Sequence, residues 1–105
     1  MPQTRLSIRQ SDPGVFIVTG EIDAHSAPAL EAQLGEAPNG SVVLDMSGVE
    51  FIDSSGLRVL VTQQQRRAAH GHQFTVAKPS VCVQRLFDMV GLTEFFEPAF
   101  SEPDE

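Results

Sequence analysis

The chain has 105 residues, 41% of them hydrophobic and 20% charged, which suits one globular domain with a real core and needs no staples. Acidic residues outnumber Lys and Arg by 14 to 7 for a formal net charge of −7, which argues against a phosphate-backbone ligand such as nucleic acid. The single cysteine excludes an internal disulfide and fits a reducing compartment.

The opening "MPQTRLSIRQ" carries no apolar run of signal-peptide length. No segment approaches the roughly 18–20 apolar residues of a membrane span. A soluble, cytoplasmic chain without membrane contact is therefore expected.

In chain order, Leu6 and Ile8 alternate with polar neighbours and predict a strand. Ser11-Asp12-Pro13-Gly14 is turn chemistry. Val15–Val18 then completes an expected hairpin, and Glu21-Ile22-Asp23 leads into a loop. Ser26 is placed to cap a helix over about Ala27–Leu34, with Pro28 tolerated in its first turn. Gly35 and Pro38-Asn39-Gly40 end that helix. Val42–Met46 reads as a central strand covered on both faces or nearly so.

The next helix is expected from Ser54 or Ser55 to about Ala69. Leu57, Leu60, Val61 and Ala68 form its inner stripe, and Arg58, Gln63, Gln65, Arg66 and Arg67 face out. Gly71 is its expected C-cap, and Phe74–Ala77 a short strand. Ser80 caps a third helix with Val83, Leu86, Phe87 and Val90 on one face, closed by Gly91 and Leu92. The order β-β-α-β-α-β-α implies an α/β fold whose parallel strands are joined by helical crossovers, with an antiparallel strand at the edge. Five acidic residues between Glu94 and Glu105 give the end an acidic character, and a weakly ordered tail is expected over about 97–105.

Chemistry concentrates at Asp53-Ser54-Ser55-Gly56. A serine hydrolase would need a base within reach and an orienting acid. Neither serine has a glycine two positions before it, so the nucleophile-elbow pattern is absent. His70 and His72 fall at the far end of the helix that Ser54 begins, leaving His25 as the single candidate base. His70-x-His72 lacks the further ligands of a zinc site, and no phosphate-binding glycine loop occurs. No cofactor is expected. Cys82 reads as a small, partly buried apolar residue, with redox input as the alternative.

Asp53 or Ser54 would act as an N-cap, worth about 1 kcal/mol. Capping leaves Gly56 and the second hydroxyl unexplained. A glycine in a helix's first turn makes sense where another backbone approaches closely.

"TGEIDAHSAPAL" (Thr19–Leu30), "FIDSSGLRVLV" (Phe51–Val61) and "PSVCVQRLFDMVGL" (Pro79–Leu92) resemble STAS domains, and more narrowly the stand-alone bacterial anti-sigma factor antagonists. The resemblance spans about residues 4–96. It implies one STAS domain over 1–105, with a mixed, mostly parallel sheet of four to five strands and helices mainly on one face. It implies a non-catalytic, monomeric regulator working by partner switching. An anti-sigma factor with serine kinase activity would phosphorylate Ser54, with Ser55 as runner-up. The unphosphorylated form would sequester that factor and free sigma, and a PP2C-type phosphatase would reverse the mark. Asp23, Asp53, Ser54, Ser55, Gly56 and Arg58 are the implied partner-binding residues. Asp23 is otherwise a solvated turn carboxylate, Asp53 a cap and Arg58 part of a solvated face. The alternative is an unphosphorylated binding subunit of a lipid-transport ABC system or a stress-signalling complex. The ending "FSEPDE" departs from relatives that continue into a full C-terminal helix.

Overall fold

The structure, a computed structural model, describes residues 6–36 and 40–91. Its elements are β1 (Leu6–Asp12), β2 (Val15–Ile22), α1 (Ala27–Gly35), β3 (Val42–Ile52), α2 (Ser54–Ala69), β4 (Phe74–Ala77) and α3 (Val81–Val90). They form one four-stranded sheet in the order β1-β2-β3-β4. β1 and β2 are antiparallel, whereas β2–β3 and β3–β4 are parallel. This is the expected α/β class and element order. α1 and α2, which join successive parallel strands, pack against each other, as right-handed crossovers running in one direction across a sheet require.

β3 is longer than its apolar start suggested, and it is not covered on both faces. Val42, Leu44 and Met46 are buried, while Val43 and Asp45 are half-buried and Ser47 is exposed. Its second half, interrupted in sequence by Ser47, Gly48 and Glu50, stays in the sheet by pairing with the end of β2. Register shifts beside Thr19 and Glu21 absorb the irregularity. β2 likewise runs through Glu21 to Ile22 instead of leaving the sheet there.

The core joins Phe16, Val18 and Ile22 of β2 to Leu30 and Leu34 of α1, Leu60 of α2, and Val83 and Phe87 of α3. The inner face of α2 is broader than expected: Leu60 is buried and Leu57 and Val61 pack against the core as anticipated. Its buried residues are Gly56, Val59, Leu60 and Gln63, whereas Ala68 is exposed. Gln63 is only 2% exposed, and its side-chain oxygen accepts from Arg67 Nε at 3.2 Å. Arg67 also donates to Gly40 O at 2.9 Å and Leu34 O at 3.0 Å. Both residues were expected to face solvent. They instead tie the end of α1 and the start of the β3 approach to α2, and burial lowers the Arg67 pKa from its ordinary value.

α3 docks on β3. Ser80 caps it by accepting from Val83 N, and its own N–H donates to Met46 O. Gly91, at φ 74°, ends the helix in the left-handed conformation glycine adopts freely. Val90 is 46% exposed instead of closing the buried stripe. The turn at Pro38-Asn39, the Leu92 contact and the acidic tail at 97–105 lie outside the described residues.

Candidate functional site

The corner at Asp53 exists because β2 and β3 end together. Ile22 pairs with Ile52 at the last rung of the parallel ladder, and Asp53 N donates to Ile22 O at 3.1 Å. Asp23 and Asp53 therefore follow paired residues at the C-terminal ends of neighbouring strands. This is the end at which open α/β sheets commonly bind their ligands.

The two carboxylates do similar local work. Asp53 is the N-cap of α2, in extended backbone, and its Oδ1 accepts from Ser55 N at 2.9 Å and Gly56 N at 3.4 Å. Asp23 Oδ1 accepts from His25 N at 2.9 Å and Ser26 N at 3.0 Å. The Ser26 amide above all holds the Asp23 carboxyl below its ordinary pKa of 3.8; slight desolvation opposes this, and His25 adds to it.

Ser26 does not cap α1 as expected, for its side chain makes no cap bond to the helix. Buried at 3% exposure, it donates its hydroxyl proton to Glu21 O at 2.8 Å and accepts from Asp23 N at 3.0 Å. The β2–α1 turn is thus knotted upon itself. The clue in the sequence was Asp23 three residues before Ser26, a spacing that lets each side chain reach the other's backbone.

Gly56 is buried, but the reason differs from the expected backbone approach. A Cβ built there would lie 2.5 Å from Ile22 Cγ2 and 2.9 Å from Ile52 Cγ1. The absence of a side chain lets the first turn of α2 settle on the isoleucines that end β2 and β3.

With its amides served by Asp53, the first turn needs nothing from the serine hydroxyls. Ser54, the first residue of α2, is exposed, and its hydroxyl has no hydrogen-bond partner among the described residues. Ser55 is half-buried. Both line a shallow groove of about 380 Å³ between the N-terminal halves of α1 and α2. Arg58 and Val59 complete the α2 wall, and Ala24, Ala27, Pro28 and Glu31 form the other. The structure thus gathers Ser54, Ser55 and Arg58 on one surface beside the Asp23 turn, with Gly56 buried and both aspartates engaged locally. The α1 wall was not anticipated. Its exposed members, Ala24, Pro28 and Glu31, are small or polar and give no periodic signal of their own.

His25 lies exposed in the β2–α1 turn. His70 forms the C-cap of α2, with Nδ1 3.0 Å from Arg66 O. The sixteen residues of α2 place it about 24 Å along the axis from Ser54. Cys82 is half-buried, its thiol donating to Val49 O at 3.3 Å and lying 3.3 Å from Ser80 Oγ. No helix among the described residues is long and apolar enough to cross a membrane.

The sequence profile of the STAS domain matches residues 5–105. The chain belongs to the STAS-domain family. Within it, this STAS domain is 34% identical over 85 residues to an anti-sigma F factor antagonist of Paenibacillus polymyxa, covering 75% of this chain and 73% of that one. The crystal structure of an anti-sigma factor antagonist from Mycobacterium paratuberculosis is 32% identical, with a TM-score of 0.67, covering 87% of this chain and 80% of that one. The Bacillus antagonist SpoIIAA, solved unphosphorylated and phosphorylated, shares the fold at TM-scores of 0.68 and 0.67 with 19% and 18% identity. Those two alignments cover 95% of this chain and 89% and 92% of SpoIIAA.

Proposed function

We propose that this STAS domain is an anti-sigma factor antagonist whose switch is the Ser54 hydroxyl. Unphosphorylated, it binds and sequesters an anti-sigma factor that is also an ATP-dependent serine kinase, releasing sigma. Phosphorylated on Ser54, it lets that partner go, and a PP2C-type phosphatase resets it. The protein acts as a regulator and performs no catalysis of its own.

One observation carries this assignment. Ser54 offers an exposed hydroxyl without a hydrogen-bond partner among the described residues, at a helix start whose cap is already supplied by Asp53. A hydroxyl that holds nothing together can be modified without disturbing the fold. The helix start also favours the product, because the positive end of the α2 dipole stabilises a phosphate of about −1.5 to −2 charges. Ser55 is the weaker candidate, being half-buried.

The partner meets the same phosphate differently. Asp53, Ser54, Ser55 and Arg58, with the Asp23 turn beside them, form the docking face, and Gly56 lets that face form. A phosphate desolvated against a surface shaped for a hydroxyl costs several kcal/mol unless it is compensated. Each 1.4 kcal/mol is about tenfold in affinity. The switch therefore acts on docking and leaves the core intact.

The direct test incubates the protein with its candidate kinase partner and ATP and maps the phosphate by mass spectrometry. Phosphate on Ser54 is expected. Phosphate on Ser80, or none while the kinase modifies a known substrate, would overturn the assignment.

A further inference from the structure

We propose that Arg58 is the resident counter-charge for a phosphoserine at position 54, clamping the mark into the groove between α1 and α2. This rests on the assignment of Ser54 as the phosphorylated residue, and it goes beyond that assignment by giving the phosphate a specific partner within the same chain.

Ser54 and Arg58 stand four residues apart on α2, the spacing that makes helix side chains neighbours. Both are exposed, and both line the same groove. Arg58 makes no ion pair or hydrogen bond among the described residues. The first turn of α2 contains no acidic side chain, so the anion preceding the arginine is supplied only on phosphorylation. An anion at position i with a cation at i+4 is the favourable order along a helix, matching the dipole. The planar guanidinium can also bind two phosphate oxygens at once, which a lysine cannot do.

The other charged and titratable groups around the site leave Arg58 as the available cation. Asp53 accepts the Ser55 and Gly56 amides, and Asp23 accepts those of His25 and Ser26. Glu31, on the α1 wall, lines the groove opposite Arg58 without forming an ion pair with it. As a monoanion on a separate helix, it competes poorly with a dianion four residues away. His25 lies exposed in the β2–α1 turn and is not among the residues lining the groove. Phosphorylation would then alter the docking face twice, adding a dianion where a hydroxyl stood and withdrawing the groove's cation from any partner.

The test installs phosphoserine at position 54 by genetic encoding, in the full chain with Arg58 intact and in Arg58→Gln and Arg58→Lys. The second ionisation of the phosphate is followed by 31P NMR during a pH titration. With Arg58 present the midpoint should lie about 0.15–0.4 pH unit below that of Arg58→Gln, with Arg58→Lys between them. The gap should narrow as salt is raised. Coincident midpoints for the parent and Arg58→Gln would overturn the clamp. Because the phosphoserine is encoded, a kinase that ignores Ser54 would refute the assignment of the mark while leaving the clamp to be judged by its own titration.

Discussion

Replacing Gly56 with alanine separates two physical claims about the corner. Judged by helix propensity alone, alanine should stabilise α2 by up to about 1 kcal/mol. The structure requires the opposite sign. The new methyl would sit 2.5 Å from Ile22 Cγ2 and 2.9 Å from Ile52 Cγ1, distances real side chains do not sustain. Both isoleucines are buried at strand ends, with Ile22 0% exposed, so neither can swing into solvent. With two contacts under 3.0 Å the overpacking falls in the upper part of its usual range, about 2–3 kcal/mol, leaving a net loss of about 1–2 kcal/mol after the propensity gain. For a domain of this size the melting temperature should fall by roughly 4–15 °C. Calorimetry and urea unfolding measure the change. In an Ile22→Ala background, which removes the nearest methyl, the same alanine should cost less. An unchanged or raised melting temperature for Gly56→Ala would refute the packing reason for this glycine.

Arg67→Ala should lose about 2–3 kcal/mol, because it removes charged hydrogen bonds to Leu34 O and Gly40 O and strands the buried oxygen of Gln63. Urea unfolding reads the loss, and hydrogen exchange should rise at the end of α1. Asp53→Ala should cost about 1 kcal/mol as a lost N-cap, with faster exchange at the amides of Ser55 and Gly56. Asp23 titrates below its ordinary value in the fold, so the unfolded chain takes up its proton first as pH falls. Its contribution is complete above about pH 4 and is lost as pH drops through the lower folded pKa. Asp23→Asn should therefore differ most from the parent in stability near pH 6, and the difference should shrink as pH falls below about 4. A constant difference across that range would contradict the amide-bound carboxylate.

The fold was legible where one signal dominated. The turn at Pro13-Gly14, the apolar start of β3, the Ser80 cap and the Val83–Phe87 pair each agreed with their surroundings, and the element order followed. It was less legible where polar residues are buried for reasons outside their own helix. Gln63 and Arg67 look like solvent-facing positions of α2, yet with Gly56, Val59 and Leu60 they trace its inner stripe. Their role depends on carbonyls of Leu34 and Gly40, far away in sequence. β3 was cut short because Ser47, Gly48 and Glu50 carry no strand signal, while pairing with β2 holds that stretch in the sheet. Ser26 looked like a cap because caps and self-closing turns draw on the same residue types.

The site was legible in its motif and less so in its division of labour. Asp53-Ser54-Ser55-Gly56 marked the corner. Only the geometry distinguishes the capping carboxylate, the exposed hydroxyl and the glycine that admits two isoleucines. The α1 wall could not be read at all, because a groove between two helices leaves no trace in either helix alone.

The central claim is that phosphate on Ser54 controls docking and spares the fold. It is tested most directly by measuring the affinity of the anti-sigma kinase partner for the unphosphorylated protein and for protein stoichiometrically phosphorylated on Ser54. Melting temperatures are recorded for both forms. Binding should weaken by roughly 100-fold or more, the scale of an uncompensated charge at an interface, while the phosphorylated protein stays fully folded. Equal affinity for the two forms, or loss of binding that merely follows unfolding, would contradict it.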